Sequence, residues 1–168
     1  MSIAAHNGNA VRGVLFDLDG TLRHNRPASN DVVWDFIASQ DHPAPVEMRR
    51  RSARWAHYYW AQSQELLEDL KIYEGLEEDF WLNYLQRNLI GAGCSRETTA
   101  ILAGEIHAHM RDHYQPEDWV APDTPETLER LSGGGLQLAV LSNRREPCDE
   151  ELRELGLFQH FRFALVAG

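Results

Sequence analysis

A short apolar run, Gly13-Val14-Leu15-Phe16, stops at two acids spaced one residue apart, Asp17 and Asp19, followed by Gly20-Thr21. An uninterrupted apolar run of this length reads as a buried strand of a parallel sheet, and the carboxyl end of such a strand is where open α/β sheets hold their ligands. Gly20 lets the backbone turn sharply, and Thr21 brings a hydroxyl to the same point. Acids also end strands as simple turn formers, so spacing alone leaves both readings open.

The same pattern returns later. Leu136-Gln137-Leu138-Ala139-Val140-Leu141 follows three glycines and ends at Ser142-Asn143, and Phe163-Ala164-Leu165-Val166 gives a third strand. Between the first two strands, roughly positions 29 to 132, the apolar residues recur at helical spacing. Val32, Val33, Phe36 and Ile37 form one face, with Ser29 or Asn30 as cap. Trp55, Tyr59, Trp60, Leu66, Leu67 and Leu70 run on to a stop at Gly75; Phe80, Trp81, Tyr84, Leu85 and Leu89 end at Gly91; and Leu102, Ile106, Met110 and Tyr114 follow Ser95. A last helix, capped by Thr124 with Pro125 at its first position, leads into the second strand.

Strands separated by helices predict an α/β fold with a parallel, Rossmann-like sheet, and the long helical stretch predicts a helical-bundle cap inserted after the first strand. The expected domains are a core of 1–28 with 121–168 and a cap of 29–120. The aromatic stripe at Trp55, Tyr59 and Trp60 reads as the core of that cap.

Composition narrows the function classes. With 16 basic against 26 acidic side chains, the 168-residue chain has a formal charge of −10, which argues against nucleic acid and anionic membrane surfaces as partners. It has no apolar run of membrane-spanning length and no signal-like start, so a cytoplasmic protein is expected. Cys94 and Cys148 lack metal or redox spacing and read as idle thiols.

The string Asp17-Leu18-Asp19-Gly20-Thr21-Leu22 resembles the first signature of the haloacid dehalogenase-like hydrolase superfamily, and Leu138-Ala139-Val140-Leu141-Ser142-Asn143 resembles the second. The resemblance implies a Mg²⁺-dependent phosphatase acting on a small phosphorylated metabolite. Asp17 is then the nucleophile that forms an aspartyl-phosphate, and Asp19 the acid and base for leaving alcohol and water. Mg²⁺ is then held by the Asp17 carboxylate and the Asp19 backbone carbonyl, while Thr21, Ser142 and Asn143 contact substrate, the last two at phosphoryl oxygens. An acid at position 19 favours a phosphatase over a dehalogenase, because cleaving a carbon–halogen bond needs no leaving-group acid. The cap implied by the family closes over the site.

Two further family signatures, a lysine and a later set of acids, are missing. Lys71, the only lysine, falls in the expected cap, and Glu146, Asp149, Glu150, Glu151 and Glu154 read as a helix start or its exposed face. Arg144 and Arg145 carry positive charge just after the second signature, but the plain reading is two solvated arginines. The expectation is therefore a piece of a longer protein, or a short form that pairs with something through the uncovered edge of its first strand. Two alternatives to a phosphatase stay open: a non-catalytic binding module of the same fold, and a phosphomutase. Arg49, Arg50, Arg51 and Arg54 read as a solvated helix face paired with acids, and His109 and His113 as a polar helix face.

Overall fold

The computed structural model describes residues 11–167. Its elements run β1 (Gly13–Phe16), β2 (His24–Arg26), α1 (Ser29–Ser39), α2 (Val46–Trp60), α3 (Gln64–Ile72), α4 (Glu77–Ala92), α5 (Arg96–His113), β3 (Glu117–Trp119), α6 (Thr124–Gly133), β4 (Gln137–Ser142), α7 (Asp149–Glu154) and β5 (Ala164–Val166). They fall into two compact units, residues 11–25 with 118–167 and residues Arg26–Glu117. The first ten residues of the expected core segment, and Gly168, lie outside the described residues.

The first unit is the α/β one. Its sheet has the order β1-β4-β5, all parallel, with Gly13 opposite Gln137 through Phe16 opposite Val140, and Val140 opposite Ala164 through Ser142 opposite Val166. One face is packed: Val14, Phe16, Leu138, Val140, Ala164 and Val166 meet Leu128 of α6, Leu152 of α7, and Leu157 and Phe161 beyond it. Burial of these side chains drives this half of the fold, at about 1.5–3 kcal/mol for each fully buried one.

The opposite face departs from the sequence reading. The first strand was expected to be buried, yet Leu15 is 63 % exposed, and Leu141, Phe163 and Leu165 are exposed with it. Among the described residues β1 pairs on one side only, so its apolar run lies at a sheet edge with one face uncovered. The periodicity of such a run reports hydrophobicity and carries no information on what covers it.

The second unit is helical. Val33, Trp34 and Ile37 of α1, Leu85, Leu89 and Ala92 of α4, and Leu102, Ala103 and Ile106 of α5 close one core. Trp55 stacks on Tyr59, and Tyr84, Trp60, Phe80 and Trp81 extend the cluster through tilted and edge contacts, so the aromatic stripe is packed core. Four boundaries differ from expectation. Ala28, one residue before Ser29, occupies the cap position of α1, with no side-chain cap. The helix expected to run unbroken to Gly75 ends at Trp60, where Gln62 takes a φ of 60° and the Ser63 hydroxyl caps α3 by accepting the Leu66 N–H. Gly91 lies inside α4; a Cβ there would come within 2.9 Å of the Trp55 ring, so the glycine serves the close approach of α2. Asp123, one residue before Thr124, occupies the cap position of α6.

Candidate active site

The loop after β1 is built on two leucines. Leu18 and Leu22 are buried in the α/β core, and the Leu18 carbonyl accepts the N–H groups of Thr21, Leu22 and Arg23 at 3.3, 2.9 and 3.0 Å. Gly20, at a φ of 80°, donates its N–H to the Arg23 carbonyl at 2.8 Å and closes the turn. With Leu18 pinned inward, its neighbours Asp17 and Asp19 project from the carboxyl end of the strand. The Thr21 hydroxyl donates to Asp17 Oδ2 at 3.2 Å.

The second signature leaves the adjacent strand at the same end. Phe16 is opposite Val140, so Asp17 and Ser142 follow the last paired positions of β1 and β4 by one and two residues. Ser142 is buried, its Oγ accepts the Arg144 N–H at 3.3 Å, and Asn143 beside it is exposed. The structure thus brings Asp17, Asp19, Thr21 and the Ser142-Asn143 loop to one end of two neighbouring parallel strands, where a ligand of an open α/β sheet sits.

Beside Asp17, five further charged side chains interlock at this end. Arg144 forks across Asp19, with Nε donating to Oδ2 at 2.5 Å and Nη2 to Oδ1 at 2.6 Å, and it also donates to both Glu151 oxygens through Nη1 and Nη2. Arg23 donates from Nη1 to Asp19 Oδ1 at 3.1 Å, pairs through Nε with Asp118 Oδ1 at 2.7 Å, and approaches Glu151 Oε1 at 3.1 Å. Two guanidiniums therefore hold three carboxylates, a net charge of −1. The bonds to Asp19, with Glu151 behind them, raise the pKa of Arg144 against a smaller opposing effect of burial. Half-buried arginines forked on carboxylates are well suited to fixing orientation.

Sequence reasoning did not find this cluster. Arg144, expected to be solvated, has a side chain only 27 % exposed; Glu151 lies at a helix start as expected, in the first turn of α7, but its side chain is 23 % exposed and faces Arg144. Arg144 stands two residues after Ser142 and Arg23 four after Asp19, which is the one local signal available. Asp118 meets Arg23 across 95 residues of sequence and had none.

Among the described residues no group of three or more His, Cys, Asp or Glu is arranged to hold a metal ion. Asp17 and the Asp19 carbonyl, which lies outside the bonds closing the turn, supply two hard oxygens. Mg²⁺ is commonly held by one or two protein carboxylates with water and substrate phosphate completing its shell, so these two donors fit that ion. His109 stacks on both Phe36 and His113; Arg51 and Arg54 pair with Glu47, and Arg49 pairs with Asp35 and also donates to the Trp34 carbonyl.

Comparison with known proteins agrees with the sequence signatures. Residues 11–168 match the model of a hydrolase family described as haloacid dehalogenase-like hydrolase. A bovine (Bos taurus) relative, haloacid dehalogenase-like hydrolase domain-containing protein 3, is 27% identical over 161 residues, covering 94% of this chain and 61% of its own length. Among solved structures, a 2-haloacid dehalogenase from Pseudomonas syringae pv. Tomato DC3000 is 25% identical with a TM-score of 0.36, covering 94% of this chain and 64% of its own. A putative phosphoglycolate phosphatase from Lactobacillus delbrueckii subsp. bulgaricus is 18% identical with a TM-score of 0.46, covering 94% and 65%. The chain spans about three fifths of the length of the curated relative it matches.

Proposed function

The chain belongs to the haloacid dehalogenase-like hydrolase family, and from that premise we propose that it is a phosphatase acting on a small phosphorylated metabolite through an aspartyl-phosphate. The observation that carries the reading is the pairing of β1 with β4, which puts a two-carboxylate loop and a buried serine at one strand end. Asp19 favours phosphate over halide chemistry, because an alcohol needs a proton to leave and a halide does not.

In the proposed reaction an Asp17 carboxylate oxygen attacks phosphorus. The phosphorus–oxygen bond to the alcohol breaks, and Asp19 gives its proton to the departing oxygen. Water then attacks the same phosphorus; Asp19 takes its proton, the bond to Asp17 breaks, and inorganic phosphate leaves. The Ser142 hydroxyl and the Asn143 backbone N–H donate to phosphoryl oxygens, and Thr21 holds the Asp17 carboxylate in one orientation. Mg²⁺, held by Asp17 and the Asp19 carbonyl, would supply charge neutralisation between an anionic nucleophile and an anionic phosphate. A cytoplasmic setting is proposed on the two unpaired thiols, Cys94 and Cys148. Among the described residues no helix is long and apolar enough to cross a membrane.

The test is phosphate release from p-nitrophenyl phosphate with Mg²⁺ present. The protein at its full natural length is expected to turn over and Asp17→Asn in it to abolish release. Release that survives Asp17→Asn, or no release by the full-length protein, overturns the reading.

A further inference from the structure

We propose that Arg144 is the phosphate anchor of this site: its guanidinium, forked across Asp19 in this structure, transfers to the phosphoryl group of an incoming phosphomonoester, so that substrate entry and the freeing of Asp19 are one exchange. This rests on the reading that the Asp17, Asp19 and Ser142 loops bind a phosphoryl group.

Position comes first. Arg144 belongs to the loop of Ser142, to whose Oγ its backbone N–H donates, and its side chain spans to the loop of β1 to reach Asp19. Any group lodged between Ser142 and Asp19 is therefore within reach of that guanidinium.

The exchange also leaves every carboxylate of the cluster with a guanidinium contact. When Arg144 leaves Asp19, Arg23 Nη1 still holds Asp19 Oδ1 and Arg23 Nε still faces Glu151. Arg23 is fixed in turn by Asp118, so one arginine is the stationary pin and the other the exchangeable fork. A phosphomonoester dianion carries up to twice the charge of a carboxylate and offers the same two-oxygen edge to the fork.

The experiment is calorimetric titration of inorganic phosphate into the 168-residue chain, its Arg144→Gln, Arg144→Lys and Asp19→Asn variants, and the Arg144→Gln/Asp19→Asn double variant. Arg144→Gln is expected to weaken binding at least about tenfold, the scale of a lost charge-assisted pair. Arg144→Lys, which keeps the charge without the fork, should fall between. Asp19→Asn should tighten binding by freeing the fork, and that gain should shrink in the double variant. Retained affinity in Arg144→Gln, strictly additive effects, or no phosphate binding by the parent chain overturns the proposal. The lysine variant guards against misfolding: a wild-type melting temperature with wild-type affinity also overturns it. The expected binding pattern together with phosphate release that survives Asp17→Asn would keep the anchor and discard the proposed reaction.

Discussion

Leu18 and Leu22 decide where the acids go. Both are buried beneath the loop, and the alternation around Leu18 turns Asp17 and Asp19 outward. Gly20 completes the turn at a φ that other residues adopt only with strain, while its absent side chain faces open space. Gly20→Ala should therefore destabilise the α/β unit by about 1–2 kcal/mol through backbone strain alone, read as a lowered urea midpoint with an unchanged slope. The residues of the first signature were legible because strand, turn and acids are contiguous. Arg144 was harder to read, since its partner Asp19 lies 125 positions earlier and only the fold brings them together.

At the scale of elements, α2, α3 and α4 meet around a buried hydrogen-bonded set. Tyr59 donates to Asp69 Oδ2 at 3.0 Å, and Arg87 reaches Asp69 Oδ1 at 3.0 Å. Burial, and then the bond to Asp69, push the Tyr59 pKa far above its ordinary 10.0. The unfolded chain thus gives up this proton at a pH where the folded chain keeps it, so stability is fully present below that value and falls as pH rises above it. Tyr59→Phe should lower stability by about 1 kcal/mol or more near neutrality and make the alkaline decline of the melting temperature shallower. Helix type and the apolar faces of this unit were legible from spacing. The break after Trp60 was not, because it depends on Ser63 capping a new helix in a run whose apolar period continues through it. Gly91 misled for a related reason: a glycine that ends a helix and one that admits a neighbouring tryptophan are identical in sequence.

For the molecule as a whole, the uncovered sheet face is the feature with the most bearing on solution behaviour. Leu15, Leu141, Phe163 and Leu165 stand exposed on it, and the β1 edge beside them has backbone groups open to pairing. We propose that a second copy of the 168-residue chain covers this edge. Sedimentation should show a species larger than the monomer growing with concentration, and Leu15→Lys should reduce it by placing a charge on the edge; a monomer throughout would refute the idea. Fold class and the sheet's strands were legible from the three apolar runs, but which face would be bare was not, because both faces of a parallel strand read alike.

Handedness adds a further consequence. From β1 through β4 to β5 the sheet grows in one direction, and α6 and α7 both pack on one face, as right-handed crossovers require. A strand joining β1 on its open side would be reached by travelling the other way, and the same chirality would carry that connection over the opposite surface. The bare face and the open edge are thus one geometric fact: a single return crossing would close both.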